Sequence, residues 1–229
     1  MKQTSLGYTI DKLLEKMNAR AAIFDLDGTM IDNNVFHLKT WRDYIQKLGL
    51  DITEEAYRTN INGRTNKDAI EYIFNRKMTD EEAMVFALEK EALYRENYRS
   101  FIKPVDGLLD LLEAFHKRNI PMAIATSGIQ INIDFMFEHI SIKQYFKNVI
   151  NSSHISKGKP DPEIYLKTAA LLNIPAENCL VFEDAVVGLN AAHAAGMKVV
   201  AITTTQSEEE LKDAEMIIKD FTAESFFNF

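Results

Sequence analysis

The chain has 229 residues, of which 46% are hydrophobic and 26% charged, and its formal net charge is −8. This length and composition describe a globular protein with one sizeable core and room for an inserted module, and they exclude a disordered chain. The acidic charge without a basic stripe argues against nucleic acid as a partner, and no apolar run approaches the roughly 20 residues that a membrane span needs.

The first elements along the chain are a helix and a strand. Apolar residues recur at helical spacing over residues 9–19, which predicts a short amphipathic helix. The apolar run Ala21–Leu26 predicts the first β-strand. The N-terminus is polar and lacks the apolar stretch of a signal peptide, so a cytoplasmic location is expected.

The next part of the chain has a purely helical pattern. Helices are predicted over residues 35–49 and 79–98, and the second begins at the capping-box pair Thr79 and Glu82. Trp41 and the other aromatic residues of this stretch are interpreted as its apolar interior. A helical insertion that directly follows the first strand can act as a lid, because closure over that strand's end would exclude water.

After residue 100 the chain alternates between strands and helices. The predicted strands are 122–126, 179–182, 198–203 and 216–219, and the predicted helices follow Gly107, begin near Asp161, and span 185–195 and 208–213. This alternation indicates an α/β fold with a doubly wound, Rossmann-like parallel sheet. The predicted core domain comprises residues 1–34 and 101–229, with residues 1–20 as an N-terminal helical extension, and residues 35–100 form an inserted all-helical cap domain.

The segment Asp25-Leu-Asp-Gly-Thr29 ends the first strand with two carboxylates. Open parallel sheets bind their ligands at the carboxyl ends of their strands, and the glycine lets the chain bend there. Asp25 and Asp27 therefore suit carboxylate chemistry, one as a nucleophile and the other as a proton donor and acceptor, beside a hard cation. The alternative is an Asp-Gly turn that caps the next segment.

Two further segments are predicted at the same edge of the sheet. Thr126, Ser127 and Gly128 follow a strand, and their hydroxyls and backbone N–H groups can hold an anion. Lys159 lies between a glycine and a proline, and a lysine held this stiffly can neutralise both a carboxylate and a phosphoryl oxygen. The alternatives are an ordinary strand-to-helix turn and a solvated loop lysine.

Glu183 and Asp184 form a second acidic pair at the end of an apolar strand. Two carboxylates at such a strand end are costly unless they are paired or bound to a metal, and their hard oxygen donors suit Mg²⁺. The alternative, an N-cap for the helix that begins at residue 185, explains only one of the two acids.

The order and spacing of these motifs resemble the haloacid dehalogenase (HAD) superfamily. The four motifs are all present, and the resemblance extends from Ala21 to about Asp220. The run Val181-Phe-Glu-Asp-Ala-Val-Val-Gly-Leu-Asn-Ala-Ala-His-Ala-Ala-Gly-Met197 is similar to the branch that contains β-phosphoglucomutase and small sugar-phosphate phosphatases with a helical cap. The resemblance implies that Asp25 is the nucleophile, that Asp27 is the general acid and base, and that Thr126 and Lys159 hold the transferring phosphoryl group.

The resemblance also implies a Mg²⁺ cofactor. Its expected ligands are Asp25, a backbone carbonyl of Asp27, Asp184 and Glu183. Because a phosphate dianion repels a carboxylate nucleophile, the cation and Lys159 must offset that repulsion. Asp27 favours phosphoryl transfer, since the dehalogenase branch of the superfamily does not need this second acid.

The expected contacts to the rest of the substrate lie in the cap. His37 occupies a position near the cap hinge where the mutase-like branch has a histidine, with an exposed helix histidine as the alternative. Arg64 lies in a cap loop that reaches the substrate in this family, although mutases generally have their arginine where this chain has Asn66. Ile129 and Gln130 stand where mutases have a lysine and an asparagine.

The sequence therefore predicts a Mg²⁺-dependent phosphatase that hydrolyses a small phosphorylated metabolite, with a sugar phosphate favoured, through an aspartyl-phosphate. The first alternative is a β-phosphoglucomutase that uses the same aspartate, and the second is a catalytically idle binding protein on the same fold. The expected partner is the small substrate alone, and the expected state is a monomer or weak dimer. The sequence does not specify which phosphate ester is used.

Overall fold

The structure is a computed structural model that describes residues 2–226, and the side chains from residue 7 onward. The helices are α1 (Lys2–Met17), α2 (Asn34–Lys47), α3 (Glu54–Asn60), α4 (Asn66–Phe74), α5 (Asp80–Tyr98), α6 (Leu108–Lys117), α7 (Gln130–His139), α8 (Glu163–Leu172) and α9 (Val186–Ala194). The strands are β1 (Ala21–Phe24), β2 (Met122–Ala125), β3 (Phe146–Ile150), β4 (Cys179–Glu183), β5 (Lys198–Ile202) and β6 (Met216–Ile218). Within the described part of the chain, no helix is long and apolar enough to cross a membrane.

The six strands form one parallel sheet in the order β3-β2-β1-β4-β5-β6. This order places β1 inside the sheet, between β2 and β4. Strands β2 and β3 are added on one side of β1, and strands β4, β5 and β6 on the other. The finding confirms the predicted doubly wound α/β fold. Strands on both sides of β1 therefore end at the same edge as Asp25, which is where such sheets bind ligands.

Alternate residues of the central strands face two separate apolar cores. Phe24 and Phe182 belong to the core that α1, α6 and α7 cover, and Ile23 and Val181 belong to the core under α8 and α9. Phe24 pairs with Phe182 in the sheet register, and their rings stack with centroids 4.6 Å apart. Two-sided burial explains why these strands are almost wholly apolar, as parallel strands covered by helices on both faces usually are.

Helices α2 to α5 lie between β1 and α6 in the chain and have an apolar cluster of their own, which includes Trp41, Tyr57 and Ile70. Helices α3 and α4 had not been predicted individually. Each begins at a threonine: Thr53 and Thr65 accept hydrogen bonds from backbone N–H groups three residues later, so the capping signal was present in the sequence. We propose that this helical unit acts as the cap.

Several predicted elements differ from those observed. The predicted helix at 208–213 is wrong: the segment is a series of turns in which Leu211 alone is buried, too little apolar surface to stabilise so short a helix. Strand β3 was missed because it lies at the sheet edge, where its partly exposed residues Phe146, Lys147 and Asn148 break the apolar pattern. The first helix begins earlier than predicted, at Lys2.

The helix predicted to begin near Asp161 starts one residue later than expected. Helix α8 begins at Glu163 with Pro162 at the N-cap position. The Asp161 side chain nevertheless accepts a hydrogen bond of 3.0 Å from the Glu163 N–H. Asp161 therefore satisfies a backbone N–H of the first turn, although Pro162 occupies the N-cap position.

Candidate active site

The strand ends bring the polar side chains of the four sequence motifs to one cavity. Asp25 follows β1 and Thr126 follows β2, while Glu183 is the last residue of β4. Lys159 reaches the cavity from the loop between β3 and α8 and not from a strand end. The cavity also has walls from α2, α5 and the loop before α4, so it lies between the sheet edge and the helical unit.

Lys159 is the positive centre of the site. Its side chain is buried, and its Nζ donates to Asp25 Oδ1 at 2.6 Å and to Glu183 Oε1 at 2.5 Å. Burial opposes the charge on this lysine, but the two carboxylates outweigh that penalty and raise the pKa of Lys159 above its usual value. The side chain is therefore an ammonium at any physiological pH, and it holds the Asp25 carboxylate in one orientation.

Asp25, Glu183 and Asp184 form a buried acidic cluster in which one carboxylate oxygen from each residue lies within 4.8 Å of the other two. Burial, together with the charges of its acidic neighbours, raises the pKa of Asp25 well above the ordinary value. Burial and the Glu183 charge raise the pKa of Asp184 to about 7. One lysine does not neutralise three carboxylates, and hard oxygen donors in this arrangement fit a divalent cation such as Mg²⁺.

The loop after β1 fits closely against Asp184. Gly28 has a φ of +82°, and a Cβ at this position would lie 2.0 Å from Asp184 Oδ2. Thr29 Oγ1 and Asn34 Nδ2 each donate to the Asp184 carboxylate at 3.1 Å. The glycine is therefore required both by the turn and by the close approach of the carboxylate.

Asp27 has a different electrostatic environment from that of Asp25. Its Oδ1 accepts a hydrogen bond of 2.6 Å from Asn33 Nδ2 and lies 3.5 Å from His37 Nε2. Burial opposes ionisation, but His37 and the hydrogen bond from Asn33 outweigh it and lower the pKa of Asp27. The pKa values of two carboxyl groups only two residues apart are thus shifted in opposite directions. Such a separation is a common way to divide acid–base roles between two acids.

The loop after β2 supplies one side chain that faces the cavity, that of Thr126, and one that contacts the helical unit, that of Ser127. Thr126 Oγ1 accepts from the Gly128 N–H at 3.0 Å, and both residues line the cavity. Ser127 also lines the cavity, but its hydroxyl donates to the Gly63 carbonyl at 2.9 Å. Ser127 therefore connects the sheet edge to the loop before α4, a role that the sequence did not indicate.

Sequence reasoning missed a buried polar network on α5. Lys90 Nζ lies 2.7 Å from Glu91 Oε1 and 3.1 Å from His37 Nδ1, and it packs 4.6 Å from the centroid of the Trp41 ring. Burial opposes ionisation of Glu91, but Lys90 and the neighbouring donors lower its pKa to about 2. A signal existed: Lys90 and Glu91 fall on the same helical stripe as the buried Ala87, where charged residues are not expected.

The predicted cap residues have distinct surroundings. His37 is buried and stacks on Tyr94 at 3.8 Å, so it is not an exposed helix histidine. Arg64 lines the cavity, and in the described part of the chain its buried Nε has no hydrogen-bond partner. Trp41 belongs to the apolar cluster of the helical unit, as interpreted, but it also lines the cavity.

Of the residues at mutase-specific positions, Asn66 lines the cavity but is bonded within the protein, and Ile129 and Gln130 lie outside the lining. Asn66 Nδ2 donates to Glu91 Oε1 at 2.9 Å. The Gln130 amide is bonded to Asp134 and Asn151, and neither Ile129 nor Gln130 lines the cavity.

Comparisons with known proteins agree with this architecture. The family model described as haloacid dehalogenase-like hydrolase matches residues 22–202. The chain is 31% identical to the fructose-1-phosphate phosphatase YqaB of Escherichia coli over 79% of this chain and 94% of that protein. It is 30% identical to the validoxylamine A 7'-phosphate phosphatase of Streptomyces hygroscopicus subsp. limoneus, over 89% and 94% of the two chains. A crystal structure of β-phosphoglucomutase from Clostridium difficile superposes with a TM-score of 0.79 at 27% identity, covering 89% of this chain and 92% of that one.

Proposed function

The chain belongs to the haloacid dehalogenase-like hydrolase family, and from that premise we propose that it is a Mg²⁺-dependent phosphatase of a small phosphorylated metabolite, with a sugar phosphate as the favoured class. The observation that carries the proposal is the contact of 2.6 Å between Lys159 Nζ and Asp25 Oδ1, in a cavity that Asp27 also lines. This arrangement combines an oriented carboxylate, a fixed positive charge and a second acid. Those are the groups that phosphoryl transfer through an aspartate requires.

The reaction divides into two displacements at phosphorus. In the first, an oxygen of Asp25 forms a bond to phosphorus while the bond from phosphorus to the ester oxygen breaks, and Asp27 protonates the departing alkoxide. In the second, water attacks the aspartyl-phosphate, Asp27 takes the proton of that water, and inorganic phosphate leaves Asp25 free. Thr126 and Lys159 stabilise the charge on the phosphoryl oxygens in both steps.

The acidic cluster is suited to the Mg²⁺ that this chemistry needs. Asp25 and Asp184 would hold it together with the backbone carbonyl of Asp27, and Glu183 lies beside them. Bound there, the cation would supply positive charge against the repulsion between the phosphate dianion and the Asp25 carboxylate.

For Asp27 to act as an acid, it must become protonated when the substrate binds. Its pKa is lowered in the structure, despite burial, by His37 and Asn33, so at neutral pH it starts as a carboxylate. A phosphate dianion beside it disfavours that charge and raises the pKa of the acid. We infer that Asp27 takes up a proton from solvent when the substrate binds, so that acid catalysis begins only when the cavity is filled.

The wall opposite the acids favours a polar substrate. Arg64 offers an unpartnered Nε, and Lys90 and Glu91 present a buried ion pair to the same cavity. Trp41 adds an apolar ring face beside them. Fixed donors and acceptors next to an aromatic ring suit the hydroxyls and C–H faces of a small sugar or polyol, and a fructose-1-phosphate phosphatase is among the relatives.

The alternative is β-phosphoglucomutase activity, which the resemblance to the Clostridium difficile mutase structure supports. A mutase must hold a sugar bisphosphate in two orientations and protect its aspartyl-phosphate from water. That task needs dedicated donors for the second phosphate. Asn66 is already bonded to Glu91, and Ile129 and Gln130 lie outside the cavity lining. These observations favour hydrolysis.

The discriminating experiment measures both products in one reaction. The purified protein is incubated with Mg²⁺ and a panel of phosphate monoesters that includes β-glucose 1-phosphate with a trace of β-glucose 1,6-bisphosphate. We expect inorganic phosphate from at least one ester and little glucose 6-phosphate. Asp25→Asn is the inactive comparison, and Asp110→Asn, at an exposed position of α6, is the matched control. Rapid glucose 6-phosphate formation without phosphate release would make the mutase assignment the correct one.

A further inference from the structure

Tyr165 is a buried tyrosine at the acidic cluster that no motif had indicated. It lies on α8 with 0% exposure, and its hydroxyl donates to Glu183 Oε1 at 2.6 Å. Lys159 Nζ lies 5.2 Å from the centroid of the same ring. A buried phenol needs a hydrogen-bond acceptor, and Tyr165 has a charged one directly beside the lysine that holds the nucleophile.

Both oxygens of the Glu183 carboxylate are fully occupied. Oε1 accepts from Lys159 Nζ at 2.5 Å and from the Tyr165 hydroxyl. Oε2 accepts from the backbone N–H groups of Asp184 at 3.0 Å and Ala185 at 3.3 Å. An ionised carboxylate has about four acceptor positions, and these four donors use them. Glu183 therefore lies near the cation site without a lone pair directed at it.

A glycine on α9 leaves the space for this side chain. A Cβ at Gly188 would lie 1.8 Å from Glu183 Oε1. Glycine in a helix is less favourable than alanine. Gly188 therefore leaves room on α9 for the Glu183 side chain. Contacts with α8, α9 and the end of β4 together fix the position of Glu183.

We propose that Tyr165 and Glu183 are positioning residues that hold Lys159 against Asp25, and that Glu183 is not a ligand of the metal. The inference rests on the proposed phosphatase function for its kinetic consequence. It assigns the cation to Asp25, Asp184 and the Asp27 carbonyl, and it differs from the expectation that Glu183 would complete the ligand set. Loss of the tyrosine hydroxyl leaves Glu183 to interact more strongly with Lys159, which draws the lysine away from the phosphoryl group.

The first test is Tyr165→Phe, which removes one oxygen atom and leaves the charge unchanged. The matched control is Tyr145→Phe, because the Tyr145 hydroxyl also donates to a glutamate, Glu113, at 3.0 Å, but outside the cavity. With a hydrolysed phosphate ester, we expect kcat of Tyr165→Phe to fall about tenfold, as loss of a hydrogen bond to a charged group predicts. KM and the Mg²⁺ dissociation constant should stay within about twofold of those of the wild type, and the control should match the wild type.

The second test compares Mg²⁺ binding, measured by calorimetric titration, in Glu183→Gln and Asp184→Asn. We expect Asp184→Asn to lose about a hundredfold in affinity, as loss of a ligand predicts, and Glu183→Gln to lose at most about tenfold, through its charge alone. Equal losses in the two variants, or a Tyr165→Phe enzyme as active as Tyr145→Phe, would overturn the proposal. If the wild type hydrolyses no phosphate ester, the proposed function fails, while the calorimetric comparison still decides whether Glu183 binds the metal.

Discussion

Replacement of Asp184 by asparagine should stabilise the metal-free protein at alkaline pH. Burial and the neighbouring Glu183 raise the pKa of Asp184 from 3.8 to about 7, so the folded state binds this proton more tightly than the unfolded chain. The resulting stability is present below pH 4 and is lost as the pH rises through 7. A difference of roughly three pKa units corresponds to about 4 kcal/mol at about 1.4 kcal/mol per unit.

Asparagine does not ionise, so the variant avoids this loss of stability at alkaline pH, but part of the advantage is offset by a lost hydrogen bond. Asp184 accepts hydrogen bonds from Thr29 and Asn34 on its two oxygens, and an amide can accept on only one heavy atom. The lost hydrogen bond costs about 1 kcal/mol, which leaves a net stabilisation of about 3 kcal/mol at pH 8. For a chain of this size that corresponds to a rise of about 6–12 °C in the unfolding temperature.

The assay is thermal unfolding in EDTA from pH 5 to pH 8, repeated with saturating Mg²⁺. Near pH 5 the wild-type acid is already protonated in the folded state, so the advantage of Asp184→Asn should shrink to about 1–2 °C. Mg²⁺ should stabilise the wild type and have little effect on the variant. Asp110→Asn, at an exposed position of α6, serves as the control and should lack this large stabilisation at pH 8. The reasoning is refuted if metal-free Asp184→Asn unfolds at or below the wild-type temperature at pH 8, or if Mg²⁺ stabilises both proteins equally.

Three other predictions follow from the geometry. Asp25→Asn should keep its far-UV circular dichroism and lose phosphate release by about three or more orders of magnitude, since it removes the nucleophile; near-normal activity would contradict this role. Gly188→Ala should lower both the unfolding temperature and kcat, because the added Cβ would lie 1.8 Å from Glu183 Oε1; an unaffected enzyme would mean that the glutamate adopts another position. Arg58→Ala breaks a surface contact to Glu210 of 2.7 Å and should change the free energy of unfolding by less than about 1 kcal/mol in urea titration, because both groups are more than a third exposed. A larger loss would show that this contact holds the two units together.

The parts of the molecule that sequence reasoning predicted are those with a local signal. Apolar runs that end in polar residues identified β1, β2 and β4, and the rule that parallel strands end at one edge predicted that Asp25, Thr126 and Asp184 would meet. The capping box at Thr79 likewise depends on residues three positions apart, and both of its hydrogen bonds are present.

The remainder depends on contacts between elements that are distant in the chain. The network of Lys90 with His37 joins α5 to α2, and its existence depends on how the two helices are rotated against each other. The contact of Ser127 with Gly63 and that of Tyr165 with Glu183 require the same three-dimensional information. A sequence shows that such groups are polar, but it does not show which of them will be buried together.

The stacked pair Phe24 and Phe182 connects the apolar core to the chemistry at the sheet edge. Each phenylalanine immediately precedes an acid of the site, Asp25 or Glu183, so the register that aligns the rings also aligns the carboxylates. A slip of one residue would turn every side chain of a strand to the opposite face. The activity of this protein therefore depends on two residues that do not line the cavity. Substitution of either phenylalanine would displace the carboxylates and lower the activity, although every polar residue of the site is retained.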